Sequence, residues 1–141
     1  MKNRPIAILV DALRSLGADV EYVEREGYPP LKICGKSLKG GHLSIPGSVS
    51  SQYISAILMI APLLQDGLTL KLTGEIISRP YINLTLDIMR HFGAKAEWTA
   101  QYTITIQYSP YSSTSFIVEN DWSAESYWYE ILDIKTATGA D

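Results

Sequence analysis

One segment of this chain is used twice. The stretch from Arg4 to Glu21 returns as the stretch from Arg79 to Glu97. Arg4-Pro5 recurs as Arg79-Pro80. Asp11-x-x-Arg14 and Gly17-Ala18 recur as Asp87-x-x-Arg90 and Gly93-Ala94, with one residue inserted in the second copy. A period of this length marks a supersecondary unit repeated along the chain, so the fold is expected to be copies of one unit rather than an arbitrary arrangement.

Each copy follows the same local logic. A proline is expected in the first helical turn, where its missing N–H costs nothing. Apolar residues follow at helical spacing, Ile6, Leu9, Leu13 and Leu16 in the first copy and Tyr81, Leu84, Ile88 and Phe92 in the second, which predicts the buried stripe of each helix. Gly17 and Gly93 suit the glycine that ends a helix. Strands are expected next over Val20 to Val23 and Ala94 to Trp98.

The second halves also correspond. Leu43-Ser44-Ile45 reads as a strand leading to a helix that opens at Ser48-Val49-Ser50-Ser51-Gln52-Tyr53. Ser115-Phe116-Ile117-Val118 reads as its counterpart, leading to a helix that opens at Asp121-Trp122-Ser123-Ala124. Ser48 matches Asp121, and Ser50 matches Ser123. Leu31 to Cys34 and Thr103 to Gln107 supply further short strands. The expected fold class is α/β, in the mixed α+β sense, built of about two βαβαββ units. Unit one covers about 4–74 and unit two about 75–141 of one domain. The helix from Ser50 to about Leu64 is apolar on nearly every face and is expected to be buried under sheet. In unit one, Gln65-Asp66-Gly67 leads into the strand Leu68 to Leu72. The position matching Asp66 is Gly139, so unit two is expected to be a fragment that stops before its last strand.

Composition narrows the function classes. The 141 residues carry 12 Lys+Arg against 15 Asp+Glu, a formal charge of −3, with no basic cluster. That balance argues against nucleic acid as a partner. A single cysteine, Cys34, excludes an intramolecular disulfide and a cysteine-rich zinc site, and points to a reducing, cytoplasmic location. Met1 to Pro5 is not followed by a signal-like apolar run. The most apolar stretch, Tyr53 to Leu64, is shorter than the roughly 20 residues a membrane helix needs, so no membrane association is expected.

Several motifs carry no chemistry. Gly35-Lys36-Ser37 lacks the preceding glycine of a phosphate loop, since Pro30 holds that place, and Lys39-Gly40-Gly41 follows it instead of a helix. Asn83-Leu84-Thr85 lies in a helical pattern. His42 and His91 have no partner at metal-ligand spacing and read as ordinary surface or boundary residues.

Gly47-Ser48-Val49-Ser50-Ser51-Gln52 is the strongest candidate site. Free N–H groups and the positive end of a helix dipole suit a phosphate, and three hydroxyls beside a glycine exceed what one helix cap requires. Arg4 and Arg79 precede a helix start, where a cation does not help the dipole, so both are candidates for work outside their helices. Asp121 reads first as an N-cap, Ser78 as a cap and Tyr81 as a core aromatic.

At Gly47-Ser48-Val49-Ser50-Ser51-Gln52-Tyr53, continuing to Leu64, the chain closely resembles the signature of the 5-enolpyruvylshikimate-3-phosphate synthase family. Arg4-Pro5, Tyr28-Pro29-Pro30-Leu31, Ser78-Arg79-Pro80-Tyr81 and Glu119-Asn120-Asp121-Trp122-Ser123-Ala124 fit the same family in the same order. The resemblance covers essentially the whole chain. It implies a portion of the first of two domains, each made of three βαβαββ units. It also implies transfer of the enolpyruvyl group of phosphoenolpyruvate to the 5-hydroxyl of shikimate 3-phosphate, with no cofactor and no metal.

Carried over by motif, Ser50 and Ser51 would hold shikimate 3-phosphate, and Gln52 would lie between the two substrates. Ser78 would add a phosphate contact, Tyr81 would pack beside the shikimate ring, and Arg4 would contact phosphoenolpyruvate. Asp121 would line the cleft near the reacting carbons and is the sole catalytic candidate. Glu125 stands where the family pattern leads one to expect a small residue. The family's proton-transfer groups fall outside this sequence, so the resemblance implies an inactive fragment of a monomeric parent, whose open sheet edge invites self-association. Two competing readings are a related UDP-sugar enolpyruvyl transferase and a non-catalytic two-repeat binding module.

Overall fold

The computed structural model describes residues 2–118 and 122–138. In chain order it contains α1 (Ala7–Ser15), β1 (Asp19–Tyr22), β2 (Leu31–Cys34), β3 (Gly41–Pro46) and α2 (Ser51–Ile60), which runs into a 3-10 turn over Ala61–Leu63. Then come β4 (Leu68–Thr73), α3 (Arg79–His91), β5 (Ala96–Ala100), β6 (Thr103–Ile106) and α4 (Trp122–Thr138).

β1 and β2 form a separate antiparallel pair. The main sheet has the order β3-β4-β6-β5. β3 and β4 are parallel, with Gly41 opposite Leu68 and Pro46 opposite Thr73. β4 meets β6 antiparallel, with Leu70 opposite Ile104, and β5 returns along β6. A parallel pair needs a crossover, and α2 supplies it.

Alternation sets the two faces of this sheet. Leu43 and Ile45, Leu68, Leu70 and Leu72, and Ile104 and Ile106 all point inward, while His42, Ser44, Lys71 and Glu97 point to solvent. The inner face packs on Ile54, Ile57 and Leu58 of α2 and on Ile82, Leu86 and Met89 of α3. Each large side chain buried there contributes roughly 1.5–3 kcal/mol. Ser55 Oγ and Thr85 Oγ1, 2.7 Å apart, join α2 to α3.

The repeated Asp-x-x-Arg…Gly-Ala motif makes the same corner twice. Arg14 Nε donates to Val20 O at 2.9 Å, and Arg90 Nε donates to Ala96 O at 2.8 Å. Asp11 and Asp87 each sit one turn before their arginine, at 3.9 and 2.7 Å. Gly17 and Gly93 follow with φ of +99° and +93°, the left-handed conformation in which a helix is terminated.

Several expectations from the sequence need correction. Ser115–Val118 is not a strand, and Phe116, Ile117 and Val118 are exposed. A strand exists only where its N–H and C=O groups find a ladder. β3 has β4 beside it, whereas no described strand pairs with 115–118.

The stripe on α3 is also different. Ile82, Leu86 and Met89 are buried, while Tyr81, Leu84 and Ile88 face outward and only Phe92 is partly covered. α3 carries two apolar stripes, and spacing alone cannot choose between them. Packing against α2 and the sheet sets the rotation. Tyr81, read as a core aromatic, is 66% exposed.

In α1, Val10, Ala12 and Leu16 are buried, while Ile6, Leu9 and Leu13 are only half-covered. Pro5 lies before α1 rather than in its first turn, whereas Pro80 is in the first turn of α3. α2 is apolar all round but not buried all round, since Met59 and Leu63 are exposed beyond the reach of sheet and α3. Tyr111 reaches back to this helix, donating its phenol to Met59 O at 2.9 Å.

Candidate functional site

Parallel pairing of β3 and β4 brings their carboxyl ends to one edge of the sheet, and a helix starts from each. The two connections touch. Gly47 N donates to Thr73 O at 2.7 Å, and a Cβ on Gly47 would lie 2.8 Å from Glu75 O. That approach demands glycine and brings the start of α2 beside the start of α3.

Ser50 is the N-cap residue of α2 and Ser78 the N-cap residue of α3, yet neither side chain makes a capping bond. Capping therefore does not account for these hydroxyls. No acidic residue lies in the first turn of either helix. Tyr53 N and Tyr81 N are taken by Ser50 O and Ser78 O, and Pro80 has no N–H, so it is the positive dipole ends, with no acidic side chain to offset them, that favour an anion there.

The Arg4-Pro5 segment closes one side of this edge. Arg4 Nη2 donates to Gln52 Oε1 at 2.8 Å, and the Tyr53 phenol donates to Pro5 O at 2.6 Å. An open cleft of about 430 Å³ lies between Arg4, Pro5, Ile8, Val49, Ser50 and Tyr53, with Arg4 its sole charged group among the described residues. A guanidinium beside a helix N-terminus offers planar, paired donors for carboxylate or phosphate.

The residues expected from sequence fall into three sets. Arg4, Ser50 and Gln52 come together at the start of α2, with Ser51 half-buried in the same turn. Ser78 and Tyr81 stand at the start of the neighbouring α3 and do not line the cleft at Arg4. Asp121 lies outside the described residues. Arg79 turns away from this edge. Its guanidinium stacks over Trp98 at 4.1 Å and donates to Gln101 O, while Trp98 Nε1 donates to Asn83 Oδ1 at 2.9 Å.

Tyr53 was missed as a lining residue, because an aromatic that opens an apolar run reads as core. Among the described residues no group of three His, Cys, Asp or Glu could hold a metal ion. No helix among them is long and apolar enough to cross a membrane.

This arrangement places the chain in the class of enolpyruvyl transferase folds. EPSP synthase from Acinetobacter baumannii superposes with a TM-score of 0.62 at 25% identity, over 75% of this chain and 22% of that one. The fold is shared by the enolpyruvyl transferase NikO from Streptomyces tendae, with a TM-score of 0.58 at 16% identity over 75% of this chain and 25% of that one.

Sequence comparison is more specific. The profile of EPSP synthase (3-phosphoshikimate 1-carboxyvinyltransferase) matches residues 1–133, and the chain belongs to that family. It is 60% identical over 131 residues to the 3-phosphoshikimate 1-carboxyvinyltransferase of Bacteroides fragilis (strain YCH46), covering 93% of this chain and 32% of that protein. It is 48% identical over 137 residues to the enzyme of the same name from Vibrio atlanticus, covering 96% and 32%. The chain thus spans about a third of the length of these relatives.

Proposed function

We propose that this chain carries the shikimate 3-phosphate half-site of an enolpyruvyl transferase. The whole protein would move the enolpyruvyl group of phosphoenolpyruvate to the 5-hydroxyl of shikimate 3-phosphate and release phosphate, in the cytoplasm. The observation that carries this reading is the Arg4–Gln52 hydrogen bond, which holds a guanidinium beside the uncapped start of α2. In this reading Ser50 and Ser51 bind the phosphate of shikimate 3-phosphate, and Ser78 adds a contact from α3. Tyr81 packs on the shikimate ring. Gln52 lies between the substrates and Arg4 engages phosphoenolpyruvate. Asp121 lines the cleft near the reacting carbons. Units of about 4–74 and 75–141 supply the two helix starts.

By itself the chain is proposed to bind without turning over. Hydrogen bonds to a charged group contribute about 1.5–3 kcal/mol each, and a few of them, less the entropy of association, give roughly millimolar affinity. Titrating shikimate 3-phosphate into the labelled chain, followed by two-dimensional amide NMR, tests this. Shifts at Ser50, Ser51, Gln52 and Ser78 are expected, with no enolpyruvyl product when phosphoenolpyruvate is added. A well-dispersed spectrum that stays unmoved by about 10 mM ligand overturns the half-site assignment. A response to a UDP-sugar instead transfers the reading to that acceptor class.

A further inference from the structure

Tyr53 joins two parts of the molecule that are 48 residues apart in sequence. Successive residues of α2 engage successive residues of the segment before α1, Gln52 taking the Arg4 guanidinium and Tyr53 taking the Pro5 carbonyl. Proline has no N–H, so that carbonyl is the only main-chain polar group Pro5 can offer. On the other side Ile6 N donates to Gly27 O at 2.9 Å. The backbone that carries Arg4 is therefore held on two sides, and its side chain starts from a fixed point.

Arg4 is exposed, and a free arginine side chain samples many rotamers. Fixing its backbone beside its acceptor reduces what remains to be ordered when an anion arrives. The ring of Tyr53 also forms a wall of the cleft at Arg4 and Ser50. We propose that Tyr53 is a positioning residue, whose hydroxyl, through Pro5, holds the Arg4 guanidinium at the anion-binding start of α2. The identity of the anion as phosphoenolpyruvate rests on the function proposed above; the positioning itself does not.

Tyr53→Phe keeps the ring and removes only the hydrogen bond. In the variant 141-residue chain the Arg4 Nε–Hε signal is expected to broaden or vanish. The Gln52 side-chain amide is expected to move towards its free position, while the amides of Ile82, Leu86 and Met89 stay in place. Titrated with phosphoenolpyruvate, the variant should bind about three- to tenfold more weakly, the range that one hydrogen bond supplies. Arg4 and Gln52 signals identical in the two chains overturn the positioning role. So does an unchanged affinity when those signals have moved. If the unaltered chain does not respond to phosphoenolpyruvate, the functional reading fails, and the Arg4 and Gln52 signals still decide the role of Tyr53.

Discussion

Arg4-Pro5 and Arg79-Pro80 open the two copies of the repeat, but their guanidinium groups end in different surroundings. Arg4 reaches across to Gln52 on α2. Arg79 stays within its own copy, stacked on Trp98 and bonded to the carbonyl of Gln101. At the other end of the same helices the copies agree, Arg14 binding Val20 O and Arg90 binding Ala96 O.

The difference follows from where the partner sits. The arginine at the helix end finds its carbonyl six residues on, so the motif contains its own closure. The arginine at the helix start depends on what the rest of the fold brings near it. Counting from the Gly-Ala pair, Trp98 corresponds to Tyr22. In the first copy that aromatic lies under Arg14, at 5.1 Å, and leaves Arg4 free for α2.

The strongest way to break the comparison is to remove the support both copies share. Leu70 is fully buried in β4, between β3 and β6. Leu70→Ala should cost about 2–5 kcal/mol in chemical denaturation. Leu132→Ala in α4, where the leucine is exposed, should stay within about 0.5 kcal/mol.

The four arginines sharpen the comparison at smaller magnitude. Arg14→Ala and Arg90→Ala should each lose about 1–2 kcal/mol, and by similar amounts, because each breaks a charge-assisted bond to a strand carbonyl. Arg79→Ala should lose about 0.5–1 kcal/mol, as an exposed cation–π contact does, without weakening the phosphoenolpyruvate binding proposed above. Arg4→Ala should do the reverse, leaving the melting midpoint nearly unchanged and abolishing that binding. Thermal melts paired with NMR titration check all four.

The smallest effect concerns Tyr22. Its hydroxyl is buried without a hydrogen-bond partner among the described residues. Burial raises its pKa above 10.0, Asp11 and Glu26 push the same way, and Arg14 opposes them. Burial raises the Tyr111 phenol likewise. Because both pKa values are higher in the folded chain, the stability they carry is complete below about pH 10 and is lost as pH rises through the folded values. Tyr22→Phe should be neutral or stabilising by up to about 1 kcal/mol at pH 7. It should also flatten the alkaline decline in denaturation experiments between about pH 9 and 11.

Much of the fold was legible because its signals are local. The two glycine-ended helices, the strand at Leu31–Cys34 and the alternation of Leu68, Leu70 and Leu72 follow from backbone sterics and period. The segment Ser115–Val118 misled because strand propensity is not a ladder. α3 misled because Tyr81-x-x-Leu84 and Ile82-x-x-x-Leu86 are both valid helical stripes. At the site, the serines and Arg4 stood out as residue types with chemistry to do. Tyr53 did not, because nothing in an apolar run distinguishes a tyrosine that packs from one that donates a hydrogen bond.

By itself, the sequence determined the repeat, the order of helices and strands as far as Ile106 and the serines at the helix starts. These depend on the conformational preferences of short segments, which do not need the rest of the chain. Only the tertiary structure decided which face of α3 is buried, that Arg79 is sequestered by Trp98, and that Arg4 stands at the start of α2 with Tyr53 holding its backbone. Those outcomes are contacts between residues distant in sequence, and their geometry is set by how the parallel pair β3–β4 carries two helices to one edge.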